Sequence, residues 1–148
     1  MDRAGTVLFA QAAWAAMIAD AAARYPRECC GALMTAAGEA AEAVCVEAVI
    51  PLPNRSTDAM TRFLIDPEEL LEATREARVA GLRVAGFYHS HPDKGAYFSE
   101  SDAGECWPGY VNVVLSVAGG RFSEARAYMV DAGQGRPAEL GVAVEGAN

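Results

Sequence analysis

Both histidines of the chain fall within four residues, His89-Ser90-His91-Pro92. Residues two apart on an extended strand project from the same face, so a strand running from Val84 through this point turns two imidazoles toward one ion. Asp102 follows eleven residues after His91, with Ser99 three residues before it. Two imidazole nitrogens and one carboxylate oxygen suit catalytic zinc, which keeps its fourth tetrahedral position for water. The same residues admit a plainer account: a histidine pair solvated in a loop, and an acid in the first turn of a capped helix. Ser99-Glu100-Ser101-Asp102 does have the form of a helix start, with Ser99 at the N-cap. The two accounts are compatible for Asp102, because a helix start fixes the direction of its carboxylate. Ser90 lies between the imidazoles, but the chain has no third histidine to activate it, which argues against a serine nucleophile.

Positioning this cluster falls to a strand before it and a helix after it. Arg83 to Tyr88 reads as the strand, His89 to Phe98 as a loop and Ser99 to Glu105 as the short helix. Upstream, Thr6 to Phe9 reads as a strand and residues 11 to 24 as a helix, with Trp14, Met17, Ile18 and Ala21 at helical spacing. Cys29 to Thr35, Ala43 to Ile50 and Thr61 to Ile65 read as strands, with Pro51 to Asp58 a polar loop. Asp66 as a cap, Pro67 at the first helical position and Glu69 at capping-box spacing open a second helix, which Gly81 closes. Tyr110 to Val117, Ala125 to Val130 and Gly141 to Val144 read as closing strands. The elements mix without regular βα alternation. That predicts an α+β fold, a mixed β-sheet flanked by helices, in a single domain spanning residues 1 to 148.

Composition narrows the function. The chain has 148 residues, 52% of them hydrophobic and 22% charged, which fits a globular domain with a real core. Its formal charge of −8 and its scattered basic residues give no footprint for nucleic acid or an anionic membrane. The apolar stretch from Val7 to Ala23 lacks the basic flank of a signal peptide, and Gln11 and Asp20 interrupt it. The four cysteines have no CxxC spacing and adjacent Cys29-Cys30 rarely bridge, so buried thiols in a reducing cytoplasm are expected.

His89-Ser90-His91-Pro92, the ten-residue gap to Asp102 and Ser99 within it resemble the signature of the JAMM/MPN+ metalloproteases. Tyr25-Pro26-Arg27-Glu28-Cys29-Cys30-Gly31 resembles that family's upstream segment, with Glu28 at its glutamate position. The Gly86-Phe87-Tyr88 run, Phe63 with Asp66-Pro67, and Trp107-Pro108-Gly109 are similar to small stand-alone bacterial members, so the likeness runs from Tyr25 to Tyr110. The resemblance implies the family's α-β sandwich, related to that of cytidine deaminases. It implies Zn²⁺ held by His89, His91 and Asp102, one ion per chain with a bound water acidified toward ~7. It also implies Glu28 as general base and Ser99 as a hydrogen-bond donor to the tetrahedral oxyanion.

By the same likeness, the substrate is a ubiquitin-like sulfur-carrier protein cut at its C-terminal glycine. Deubiquitinating relatives carry insertions, one often holding a second metal, for which this chain has neither length nor histidines. An extended tail would add to a strand edge near the zinc. Pro51 to Thr61 and Asp93 to Phe98 are candidate groove walls. Trp107 and Tyr110 either flank that groove or pack in the core. Other classes stay open: a non-catalytic MPN-type binding module, a DNA-repair-associated protein with a related motif, or a zinc amidohydrolase acting on a small molecule. A cytidine-deaminase chemistry is disfavoured because no Pro-Cys-x-x-Cys pair is present.

Overall fold

In the computed structural model, which describes residues 5–36, 44–99, 102, 107–130 and 137–146, Thr6–Phe9 forms β1. Its Val7 and Phe9 are fully buried and alternate with more exposed neighbours, the period of a strand with one face on a core. In α1 (Gln11–Arg24), Ala13, Met17 and Ala21 recur every four residues as the buried stripe. Then come β2 (Cys30–Ala36), β3 (Val44–Val46), β4 (Ala48–Leu52), α2 (Pro67–Val79), β5 (Leu82–Pro92), β6 (Val111–Ala118), β7 (Arg121–Val130) and β8 (Pro137–Val144).

The strands form one mixed sheet in the order β3-β1-β8-β7-β6-β5-β2-β4. β1 runs parallel to both β3 and β8, and β5 runs parallel to β6, while the remaining pairs are antiparallel. Alternate residues of β2 serve opposite faces. Leu33 joins the core around α1 with Val7, Phe9, Met17 and Leu115. Ala32 and Met34 join a second core with Leu52, Ala73 and Ala77 under α2. The central strand β5 is buried from Tyr88 to Pro92, as a strand covered on both faces must be. Gly86 brings it against β6 so closely that an added Cβ would lie 2.0 Å from the Val111 carbonyl oxygen.

Four local expectations change. The segment expected as one strand from Ala43 to Ile50 is two, split at Glu47, because β3 pairs with β1 and β4 with β2 at opposite ends of the sheet. Ala43 itself lies outside the described residues. Thr61 to Ile65 is not a strand. Asn54 takes its backbone groups instead, with Nδ2 donating to the Arg62 carbonyl and Oδ1 accepting from Leu64 N. The expected loop at His89 begins later, since β5 continues to Pro92 in register with Val117 of β6. Glu69 makes no capping box; it turns to Arg55 in a salt bridge, and Asp66 caps α2 without a side-chain bond. The proposed short helix falls mostly outside the described residues, at 100, 101 and 103–105. No helix among the described residues is long and apolar enough to cross a membrane.

Candidate metal and catalytic site

Because β5 runs through the histidine motif, His89 and His91 share a face by the two-residue period of a strand. Their neighbours in the parallel ladder are Val114 and Ser116. Nδ1 of His91 lies 2.9 Å from the Gly95 carbonyl oxygen. A carbonyl only accepts, so Nδ1 carries the proton and Nε2 is left to face the site.

Asp102 approaches from the other side. Its backbone N–H donates to Ser99 Oγ at 3.0 Å, and its Oδ2 accepts from Ser99 N at 3.0 Å. These reciprocal bonds are the capping arrangement expected from the sequence, and they aim the carboxylate at the histidines. Oδ2 then lies 3.2 Å from His89 Nε2 and 3.4 Å from His91 Nε2. The three donor atoms sit within 4.8 Å of one another. Nε2 of His89 is buried with no hydrogen-bond partner. Imidazole lone pairs facing a carboxylate oxygen in a buried place need a proton or a cation between them. The donor set and this orphaned nitrogen fit a divalent metal of the zinc type.

Glu28, just before β2, is buried at 3% exposure. Its N–H donates to the Ala59 carbonyl at 2.7 Å, and its own carbonyl accepts from Asn54 Nδ2 at 2.9 Å. A cavity of about 40 Å³ is walled by Glu28, Ser99, His91 and Asp102, with Thr61, Arg62, Phe63, Lys94 and Tyr97 around them. That exceeds the roughly 10–15 Å³ a water needs, so the glutamate, the donor set and a water fit in one place.

Electrostatics follow the geometry. Burial raises the Glu28 carboxyl above its ordinary value, against the opposing pull of the His89 and His91 imidazoles. Burial also works to raise Asp102, but the two imidazoles outweigh it and hold that carboxyl well below the usual range. For His91, burial favours the neutral ring, yet the bonds to Asp102 and Gly95 win and raise it. Cys29 and Cys30 beside Glu28 are pushed up to about 12, mainly by burial, which removes them as nucleophiles.

Ser90 turns out to be a brace. Its Oγ accepts the Cys29 N–H at 2.7 Å, tying the strand of the two histidines to the residue after Glu28. Asn54 is a second brace that sequence reasoning missed. It bonds Glu28 O, Arg62 O, Ser56 N and Leu64 N, and so fixes the loop that carries Phe63. Phe63 stacks on His89 with ring centroids 4.4 Å apart. Only an asparagine between two prolines and a polar run marked this position in the sequence.

Beyond the small cavity, a mostly apolar cleft of about 380 Å³ opens beside His89 and Asp102, walled by Phe63, Ile65, Leu70, Phe87, Phe98 and Trp107. Of the expected groove walls, Asp93 to Phe98 contributes Lys94, Tyr97 and Phe98, whereas Pro51 to Thr61 contributes only Thr61. Trp107 is 54% exposed and packs edge-on to Phe87 at 5.4 Å, so it flanks the cleft and is no core residue. Tyr110 stands behind it, 5.8 Å from Phe87.

The family model of prokaryotic homologs of the JAB domain matches residues 10–131. A protein of Haloferax volcanii named desampylase is 36% identical over 67% of this chain and 69% of its own length. A probable TtuB-protein conjugate cleaving protease of Thermus thermophilus is 36% identical over 60% of this chain and 57% of its own. The match to tail tip assembly protein K of Escherichia phage N15 is 35% identical over 62% of this chain, but spans only 32% of that longer protein. Among solved structures, a protein from Desulfitobacterium hafniense superposes with a TM-score of 0.81 at 23% identity, covering 94% of this chain and 92% of that one. One from Salinibacter ruber gives 0.68 at 27% identity, covering 93% and 91%.

Proposed function

Because this chain belongs to the family of prokaryotic homologs of the JAB domain, we propose that it is a zinc metallopeptidase cutting the amide bond after the C-terminal glycine of a ubiquitin-like sulfur-carrier protein. The observation that carries this reading is the convergence of His89, His91 and Asp102 within 4.8 Å, on the same small cavity as the buried Glu28. Bound zinc would acidify a water and polarise the scissile carbonyl. Glu28 takes the proton of the attacking water and delivers it to the departing nitrogen. Ser99 Oγ accepts from Asp102 N, so its hydroxyl hydrogen remains free to donate to the carbonyl oxygen as charge develops there. The apolar cleft beside His89 receives the carrier's extended tail, and glycines at the cut site pass between the walls without side-chain clash.

The substrate class draws support from two relatives whose names describe a desampylase and a conjugate cleaving protease. Cys29, Cys30 and Cys45 are free thiols, which fits a reducing cytoplasm as the compartment. The test is intact-mass spectrometry of carriers from the same genome, each bearing residues beyond its terminal Gly-Gly, after incubation with the zinc-loaded protein. The expected product is a carrier ending at glycine, with a matching short peptide cut far more slowly. No cleavage of any carrier, alongside rapid hydrolysis of unrelated small amides, overturns the reading.

A further inference from the structure

Two cations, Arg62 and Lys94, line the small cavity that holds Glu28, Ser99, His91 and Asp102. Elsewhere in the chain, Arg24, Arg55, Arg75 and Arg126 are paired with carboxylates. Among the described residues, neither the Arg62 nor the Lys94 side chain has an ion pair or hydrogen bond. Their backbones, in contrast, are fixed. Arg62 N donates to the Asp58 carbonyl at 2.9 Å, and its carbonyl accepts from Asn54. The Lys94 carbonyl accepts from Ser116 Oγ, and its neighbours are held by Asp93 N to Val117 O and by His91 to Gly95 O. Lys94 is also the one lysine beside eleven arginines, and its charge is felt at Glu28. Two unpaired charges on rigid turns, at the mouth of the cavity with the proton-transferring glutamate, form a place for an anion.

The chemistry of the reaction says which anion. Glu28 hands a proton to the leaving nitrogen, so that nitrogen lies beside it, in the cavity that Arg62 and Lys94 also line. If the leaving group is a single amino acid, its carboxylate carbon is two covalent bonds from the nitrogen. If the leaving group is a lysine side chain of a modified protein, six bonds separate that nitrogen from its own carbonyl carbon, and that carbonyl is a neutral amide. We propose that Arg62 and Lys94 form a leaving-group subsite for a free α-carboxylate, so that the enzyme releases a terminal amino acid from the carrier in preference to breaking an isopeptide bond. This rests on the proposed function. In the step, water's hydroxyl adds to the glycine carbonyl carbon, the C–N bond breaks, and the water's proton passes by way of Glu28 to the amine. The products are the carrier's carboxylate and a free amino acid, whose own carboxylate is held throughout by the two cations.

The experiment compares three substrates on the zinc-loaded chain: a carrier ending in Gly-Gly-Cys as the free acid, the same carrier with a C-terminal amide, and the carrier joined through Gly-Gly to the side-chain nitrogen of N-acetyl-lysine amide. The acid is expected to exceed the amide by about tenfold in kcat/KM, the worth of one hydrogen bond to a charged group, mostly through KM. In Lys94→Ala and Arg62→Ala that ratio falls toward one, while Lys94→Arg retains it. Both side chains are exposed, so these variants keep the fold. Equal cleavage of acid and amide, fastest cleavage of the lysine-linked substrate, or a ratio unmoved in both alanine variants overturns the subsite and leaves the proposed function standing. Failure to cleave any of the three overturns the proposed function itself, and the subsite with it.

Discussion

Replacing Ser90 by alanine removes one oxygen from the strand between the two histidines and separates two accounts of that residue. Ser90 is 1% exposed, and its Oγ accepts the Cys29 N–H at 2.7 Å. In the alanine variant that N–H is buried without a partner, because the backbone bond from Ser90 N goes to the Cys29 carbonyl and cannot serve it. An orphaned buried donor costs about 1–3 kcal/mol. For a domain of this size each kcal/mol lowers Tm by roughly 2–4 °C, so a fall of about 2–12 °C is expected. The adjoining ladder, Cys30 opposite His89 and Gly31 opposite Tyr88, survives, so the fold and the metal site persist. Glu28 loses part of its alignment, and a misplacement approaching 1 Å costs on the order of 10²-fold in turnover, so kcat should drop by about 10- to 100-fold. Differential scanning calorimetry, zinc content and carrier cleavage on one preparation give all three readouts. An unchanged Tm would show that the bond carries no load. An unchanged Tm with activity reduced by roughly 10⁶-fold, the scale of losing a nucleophile, would make Ser90 the attacking group and refute the brace.

Glu28→Gln keeps the size of the side chain but cannot accept a proton, so turnover should fall by roughly 10²-fold or more while zinc content is unchanged; wild-type turnover in this variant would place the general base elsewhere. The thiols of Cys29 and Cys30 are pushed up to about 12 by burial, so at mildly alkaline pH the reactive thiolate is scarce in the folded chain. Iodoacetamide should therefore leave both unlabelled until guanidinium unfolds the protein, when each returns toward its ordinary pKa and reacts; peptide mapping that finds either labelled in the native state would contradict the burial.

The convergence of His89, His91 and Asp102 was legible in the sequence because its geometry is local. A two-residue spacing on a strand and a three-residue spacing at a helix start each fix a direction without reference to the rest of the chain. The flanking elements followed from periodicity and punctuation: Trp14, Met17, Ile18 and Ala21 at helical spacing, of which Met17 and Ala21 are fully buried and Trp14 and Ile18 partly, and Pro67 and Gly81 bounding α2, with Gly81 at a φ of +80° that suits glycine. What escaped was long-range. Glu47 separates strands at opposite ends of the sheet, and nothing in Val44 to Leu52 states which partner each half will find. Asn54 replaces a strand partner for Arg62 and Leu64, a role defined only when the loop closes on it. Trp107 lies half-exposed on a cleft whose other walls, Phe63, Ile65 and Leu70, come from distant parts of the chain. Glu28 had only a strand entrance and a family likeness to mark it, since His91, Ser99 and Asp102, which share its cavity, lie more than sixty positions away.

The central claim is that His89, His91 and Asp102 together hold one zinc ion per chain. Elemental analysis of the purified protein and of folded His89→Ala, His91→Ala and Asp102→Ala variants, each dialysed against zinc-buffered solution, measures it directly. One zinc per wild-type chain and near-complete loss in each variant is the expected result, because two remaining protein ligands seldom hold zinc against buffer. Full zinc retained by any folded variant, or none bound by the wild type, would contradict the claim.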